Sequence, residues 1–268
     1  MRISVRHLTQ YSYDQPIDYA IQTLRLAPRP HHGQSVLAWR VVGEGGKALP
    51  GFIDGLGNQV HCHSVNRPHR EASVLVEGEV ETRETHGVVA GACAPLPPAY
   101  FLRTTPLTAG DEALAALAHE ARGKSRLDLL HDLTGRIRDG IDYQIGMTEA
   151  CTPASEALAK GAGVCQDHAH VFIACARILG LPARYIGGYL WTDSPLEVLE
   201  AGHAWAEAYV EDLGWVGFDP ANRVCATPAY VRVSVGLDYW SAAPVRGLWR
   251  GVGEEHLHVE VQVRQTQQ

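Results

Sequence analysis

The chain has 268 residues, 46% hydrophobic and 20% charged, the balance of a folded globular protein with length for one large core or two modest ones. Its formal net charge of −7 argues against nucleic acid or an anionic membrane as a general partner. No stretch approaches the roughly 20 apolar residues needed to span a bilayer, and no like-charge run suggests a disordered tail.

The opening segment, "MRISVRHLTQYSYD", alternates polar and apolar residues and lacks the apolar core of a signal peptide. A cytoplasmic location follows as the expectation, and with it reduced thiols. Six cysteines (Cys62, Cys93, Cys151, Cys165, Cys175, Cys225) are scattered without a C-x-x-C pair, which predicts free thiols rather than a disulfide framework. Period-two alternation in "ISVRHLTQYSY" and "ASVLVEGEVET" predicts strands, with Val74, Val76 and Val80 on one face of the second. The first unit, residues 1–93, therefore reads as an antiparallel sheet or small sandwich. The proline-rich stretch "APLPPAYFLRTTPLT", residues 94–108, reads as a linker.

The second unit, residues 109–268, begins with helical spacing in "DEALAALAHEARG" and in "RLDLLHDLTGRIRDGI", where Leu129, Leu130, Leu133, Ile137 and Ile141 recur on one side. A further helix follows Cys165, with Val171, Ala174, Ile178 and Leu179 predicted as its inward stripe. The period then changes. "ARYIGGYLW", "HAWAEAYVED", "WVGFDP" and a last alternating segment, "HLHVEVQVR", read as strands. The fold class is α+β.

Cys165 stands at the start of its helix, behind Gly161 and Gly163. A thiolate, not a thiol, is the nucleophile, and the positive end of a helix stabilises it. The two glycines predict a close backbone approach to substrate, with the Cys165 amide aimed at a developing oxyanion. Cys175, ten residues on, reads as a small buried hydrophobe.

A nucleophile needs a base, and a base needs an orienting group. In "GHAWAEAYV", His203, Trp205, Glu207 and Tyr209 share one face, and the alanines at 204, 206 and 208 take the other. If this strand forms a hairpin with "WVGFDP" in an even-sum register, His203 and Asp219 lie opposite or one diagonal apart. An aspartate there fixes the imidazole tautomer. His168 competes, because it lies three residues beyond Cys165 on the same helical face and could act as base or zinc ligand. A helical histidine without a carboxylate partner is the poorer base, and no second ligand pair at zinc spacing occurs. Asp167 and His170 are expected to bond neighbouring backbone or line the cleft.

The segments "GVCQDHAHVFIACARILGLPARYIGGYL" and "GHAWAEAYVEDLGWVGFDPANR" resemble the core of the bacterial transglutaminase-like superfamily. "IDYQIGMT" and "VGLDYWSAAPVRGLWRG" share the likeness, and the first eighty-odd residues resemble the β-rich domain that often precedes this core. The resemblance implies a papain-like arrangement, in which a Cys-bearing helix packs on an antiparallel sheet. It also implies a triad of Cys165 as nucleophile, His203 as base and Asp219 as orienter. In one place the chain departs from the pattern: His168 stands where the family often has an aromatic residue.

The implied chemistry is acyl transfer from an amide or peptide through a thioester on Cys165, without cofactor or metal. Water as acceptor makes the protein a peptidase or amidase; an amine acceptor would make it a transglutaminase. A non-catalytic binding module is the reading from another class. The Cys165 amide is the first expected oxyanion donor, with Tyr143 or Gln144 as the second. Gln166, Asp167, His168 and Trp205 complete the expected substrate-side residues, and the loop "LWTDSPLEVLEAG" is the expected rim. The sequence does not specify an oligomeric state.

Overall fold

The structure is a computed structural model that describes residues 1–193 and 202–266. The expected rim loop falls largely on residues 194–201, outside the described residues.

The first sheet is antiparallel and is organised around one very long strand, β1 (Arg2–Ala27). β2 (Gln34–Val42), β3 (Gly51–Ile53), β4 (Gln59–Val65) and β5 (His69–Thr82) complete its early part, in the order β2-β5-β1-β4-β3. Along β5 the buried positions include Ala72, Val74, Val76 and Val80, as the alternation predicts. β6 (Val88–Val89) leaves this sheet and pairs with a strand of the second one. The proline-rich stretch then forms short 3₁₀ turns that bury Phe101 and Leu107, so it is a packed strap.

Three helices follow, α1 (Glu112–Glu120), α2 (Arg126–Gly140) and α3 (Ala154–Lys160). Asp111 and Ser125 cap α1 and α2 with side-chain oxygens. Two short parallel strands, β7 (Asp142–Tyr143) and β8 (Ala162–Gly163), flank α3 and lead into α4 (Cys165–Ile178). From Asp167 to Arg177 every residue of α4 is buried, whereas Ile178 and Leu179 at its end are only half-buried. The expected single inward stripe is therefore corrected to a helix enclosed on all sides. Most of its polar groups find partners elsewhere in the fold, although Asp167 Oδ1 and His170 Nδ1 have none among the described residues. The Arg177 guanidinium, for example, bonds the carbonyls of Phe101, Ala183 and Leu237 and the Thr108 hydroxyl.

The second sheet contains β9 (Ala183–Leu190), β10 (His203–Val210), β11 (Gly214–Asp219), β12 (Val224–Cys225) and β13 (Tyr230–Gly236), in the order β12-β11-β10-β9-β13. The small face of β10, Ala204, Ala206, Ala208 and Val210, packs in the core that contains α4. Its large face packs Trp205 with Phe101, Trp215 and Tyr230. A short helix, α5 (Tyr239–Ala242), leads to β14 (Val245–Gly251) and β15 (Glu255–Thr266). Both of these strands pair with β1. The expected second unit, 109–268, is thus corrected at its end: the last two strands, which follow one another along β1, complete the first sheet.

The two sheets are bonded together. The Gln34 side-chain amide exchanges two hydrogen bonds with the backbone of Arg232, and Asn58 does the same with Val235. Each amide thereby satisfies part of the free edge of β13. A core of Ile3, Val5 and Val80 with Tyr189, Val231 and Val233 lies between the sheets.

Beneath the large face of β10, Glu207 is fully buried and accepts from Arg184 Nε at 2.7 Å and from Arg232 Nε at 2.6 Å. Arg184 also stacks on Trp215, with its guanidinium carbon 3.8 Å from the ring centre. Burial alone would raise the Glu207 carboxyl, but the two guanidinium charges prevail and hold it down at about 2. Glu207→Ala would leave two buried cations uncompensated, and urea unfolding at pH 7 should register a loss of about 3–5 kcal/mol.

Candidate active site

The hairpin β10–β11 pairs Glu207 with Gly217 and Ala206 with Phe218, the even-sum register. His203 and Asp219 consequently lie one diagonal apart on the same face, within side-chain reach. Their contact, His203 Nε2 to Asp219 Oδ2, measures 2.6 Å. Asp219 Oδ2 also accepts from Asn222 Nδ2 and from the Tyr230 hydroxyl, both at 2.7 Å. Three donors converge on a fully buried carboxylate oxygen, so Asp219 is held in one orientation and orients the ring in turn.

With Nε2 engaged, the other ring nitrogen of His203 is left for the sulfur of Cys165, which lines the same cleft. Burial alone would depress the His203 pKa. The hydrogen bonds and negative charges of Asp219 and Cys165 outweigh it and lift the imidazole to about 10. Burial also works against an ionised Asp219, yet the bonds from His203, Asn222 and Tyr230 keep its pKa below the ordinary value. Burial pushes the Cys175 thiol up to about 12. The two cysteines of α4 differ in their surroundings: Cys165 lines the cleft with His203, and Cys175 is fully buried.

The start of α4 is fixed by Asp167, which is buried and accepts from the Val164 amide at 2.7 Å and the Thr148 hydroxyl at 2.6 Å. This explains Gly163 differently from the sequence expectation. A Cβ at position 163 would sit 2.6 Å from Asp167 Oδ2, so the glycine makes room for the cap rather than for substrate. Gly161 ends α3 in the left-handed conformation, with φ of 62°. Cys165 stands at the first position of α4, where a backbone N–H has no intrahelical acceptor.

Tyr143, in β7, pairs with Gly163 of β8, two residues before Cys165, so its phenol lies on the Cys165 side of the site. Burial and the nearby Cys165 and Asp219 charges raise the phenol to about 12, which keeps it a hydrogen-bond donor at neutral pH. Its ring stacks on His168, with centroids 6.2 Å apart and planes 29° from parallel.

Four sequence expectations are settled by burial and bonding. His168 is fully buried, with Nδ1 2.8 Å from the Val164 carbonyl and Nε2 3.1 Å from that of Ile141. It supports the Tyr143 ring and is corrected from a substrate-side residue or competing base to a packing residue. Asp167 is a helix cap, not a cleft residue. Trp205 is buried and stacks behind His203 with ring centres 6.1 Å apart, so it backs the base and does not meet substrate. His170 is buried within α4 and accepts the Tyr239 amide at 3.0 Å. Gln166 does line the cleft, while its amide tethers the Ala150 carbonyl at 3.1 Å. Gln144 is exposed, and its backbone amide bonds the Gly163 carbonyl.

Sequence reasoning missed Asn222 and Tyr230 as partners of Asp219, and Tyr185 as a cleft residue beside Cys165. The "PAN" after Asp219 carried a turn signal for Asn222; nothing local marked the two tyrosines. All six cysteines are free.

The pair has a defined pH signature. Its histidine pKa rises on folding from 6.5 to about 10, so its contribution to stability is complete below about pH 6.5 while Asp219 remains ionised. That contribution declines as pH climbs through 10. Urea midpoints of wild type and His203→Ala should accordingly differ more at pH 6 than at pH 10; an unchanged difference would contradict the shift.

Comparison with known proteins agrees with this architecture. The profile of the transglutaminase-like superfamily matches residues 115–220, and that of the bacterial transglutaminase-like N-terminal region matches residues 3–81. An uncharacterized protein of Mycobacterium leprae is 29% identical over 280 residues, covering 98% of both chains. One from Mycobacterium bovis is 30% identical over 273 residues, covering 92% of this chain and 87% of its own. The crystal structure of a candidate cysteine protease from Cytophaga hutchinsonii matches 100% of this chain and 92% of that one, with a TM-score of 0.76 at 22% identity, and so shares the fold. The chain belongs to the transglutaminase-like superfamily, and its core is preceded by the bacterial N-terminal region of that family.

Proposed function

We propose that the protein is a cysteine-dependent amide or peptide hydrolase acting through a thioester on Cys165. The observation that carries this reading is the 2.6 Å contact from Asp219 Oδ2 to His203 Nε2, with Cys165 lining the same cleft as His203 at the start of α4.

In the first half of the reaction the Cys165 sulfur attacks the substrate carbonyl. The C–S bond forms, and the oxygen takes the negative charge. The Cys165 amide and the Tyr143 hydroxyl are the groups that would donate to that oxygen. Collapse of the intermediate breaks the C–N bond, and the imidazolium of His203 gives its proton to the departing amine. In the second half His203 takes a proton from water, the hydroxide adds to the thioester carbonyl, and the thiolate leaves with a carboxylic acid released. Asp219 keeps the imidazole in one tautomer throughout. An amine in place of water would give transamidation from the same thioester, so the products formed with and without an added primary amine distinguish the two acceptors.

Iodoacetamide alkylation, resolved by peptide mass spectrometry across pH, tests the core of this reading. Cys165 should react below pH 7 while Cys175 does not, and His203→Ala should slow Cys165 at pH 6 by about 10²-fold. Equal reactivity of the two cysteines, unaffected by that substitution, would reject the assembled pair and favour a binding module.

A further inference from the structure

The cleft that contains Cys165 and His203 has a volume of about 300 Å³, and its opposite wall does not come from the catalytic core. That wall is the face of the first sheet. His7, Thr9 and Tyr11 alternate along β1, and Val259 and Leu257 lie directly across from Thr9 and Tyr11 on β15. We propose that this face is the substrate-selecting wall, and that it admits an uncharged apolar side chain next to the scissile amide. The inference rests on the thioester reading of Cys165 and assigns the substrate class for that site.

The wall is already satisfied in its own hydrogen bonding. His7 Nδ1 meets the Tyr189 hydroxyl at 2.9 Å, and its Nε2 meets the Thr9 hydroxyl at 3.1 Å. Burial drives His7 down to about 4, so the ring is neutral in the working range. Besides His203, the basic side chain among the described lining residues is Arg25, whose Nε is paired with Asp54 at 3.3 Å while its buried Nη1 has no hydrogen-bond partner. On the core side Tyr185 and Val233 continue the lining, and Pro244 and Val245 join it from the start of β14. A charged substrate side chain would lose its water here, where the described lining residues hold no carboxylate and Arg25 is already paired with Asp54, whereas an aliphatic or aromatic one loses nothing. The wall is also firmly placed: the Gln34 and Asn58 clamps and the shared core fix the first sheet against β13.

The test is reversible capture of Cys165 by short peptide aldehydes that differ only in the side chain beside the aldehyde carbon. The sulfur adds to that carbon, the oxygen takes the proton, and bound aldehyde protects Cys165 from iodoacetamide. Leucine and phenylalanine aldehydes should protect at concentrations at least about tenfold lower than aspartate or lysine aldehydes. Val259→Trp should erase that preference by filling the wall. Leu257 is 57% exposed, so Leu257→Asp should fold normally and shift the preference towards lysine. Equal protection by all side chains, or a preference indifferent to both substitutions, would overturn the inference while leaving the reactive pair intact. A Cys165 no more reactive than Cys175 would instead remove the thioester reading, and this one with it.

Discussion

The alanines at 204, 206 and 208 let α4 lie close against β10, and that approach determines where the Cys165 thiol arrives. Larger side chains would hold the helix off the sheet, and a helix displaced by an ångström carries its first residue with it. The same strand turns Trp205 and Glu207 to its other face, where bulk and charge hold it rigid. One period-two pattern thus does two jobs: small residues admit the helix that carries Cys165, and large ones fix the strand that carries His203. His203, at the very start of β10, is where the two meet.

The catalytic geometry and the cleft are built by different parts of the chain. The core alone supplies Cys165, His203, Asp219 and the donors Asn222 and Tyr230. The first sheet supplies the far wall, and it does so only because the chain returns to it with β14 and β15 after the core is complete. Without that return β1 would present an unpaired edge for most of its length. A domain that could have been an appendage becomes, through this closure, part of the site.

The pairing of His203 with Asp219 was legible because it rests on a local pattern: an alternating strand, a short turn, and an aspartate at a register-compatible position. Strand and helix identities were legible for the same reason, since period 2 and period 3.6 leave marks within a dozen residues. Pairing partners leave no such mark. "HLHVEVQVR" announces a strand, but nothing in it says that β1, more than 230 residues earlier in the sequence, is its neighbour. The enclosed character of α4 was hidden by its polar residues. His168, His170 and Arg177 look like a solvent face, and only long-range partners such as the carbonyls of Ile141 and Phe101 or the amide of Tyr239 reveal them as interior. Gly163 was misjudged similarly, because its constraint comes from the Asp167 carboxylate four residues on.

The buried Arg184–Glu207–Arg232 cluster gives these separate parts a common frame. Its members come from β9, β10 and β13, so the ion pairs tie together the three strands that lie behind the base. Such a cluster is weak as a source of net stability, because burying three charges costs nearly what their attraction returns. Its directionality is the stronger argument. Each guanidinium must reach a particular carboxylate oxygen, which penalises any slip of one strand against another. Arg232 extends the frame further, since its backbone is the group clamped by Gln34 of the first sheet. A continuous set of polar contacts therefore runs from the strand that carries His203 to the sheet that faces it across the cleft. The distance between His203 and the opposing wall is thus held by bonds with fixed lengths as well as by the apolar core the two sheets share. A narrow acyl-transfer site of the kind proposed would require such a fixed separation.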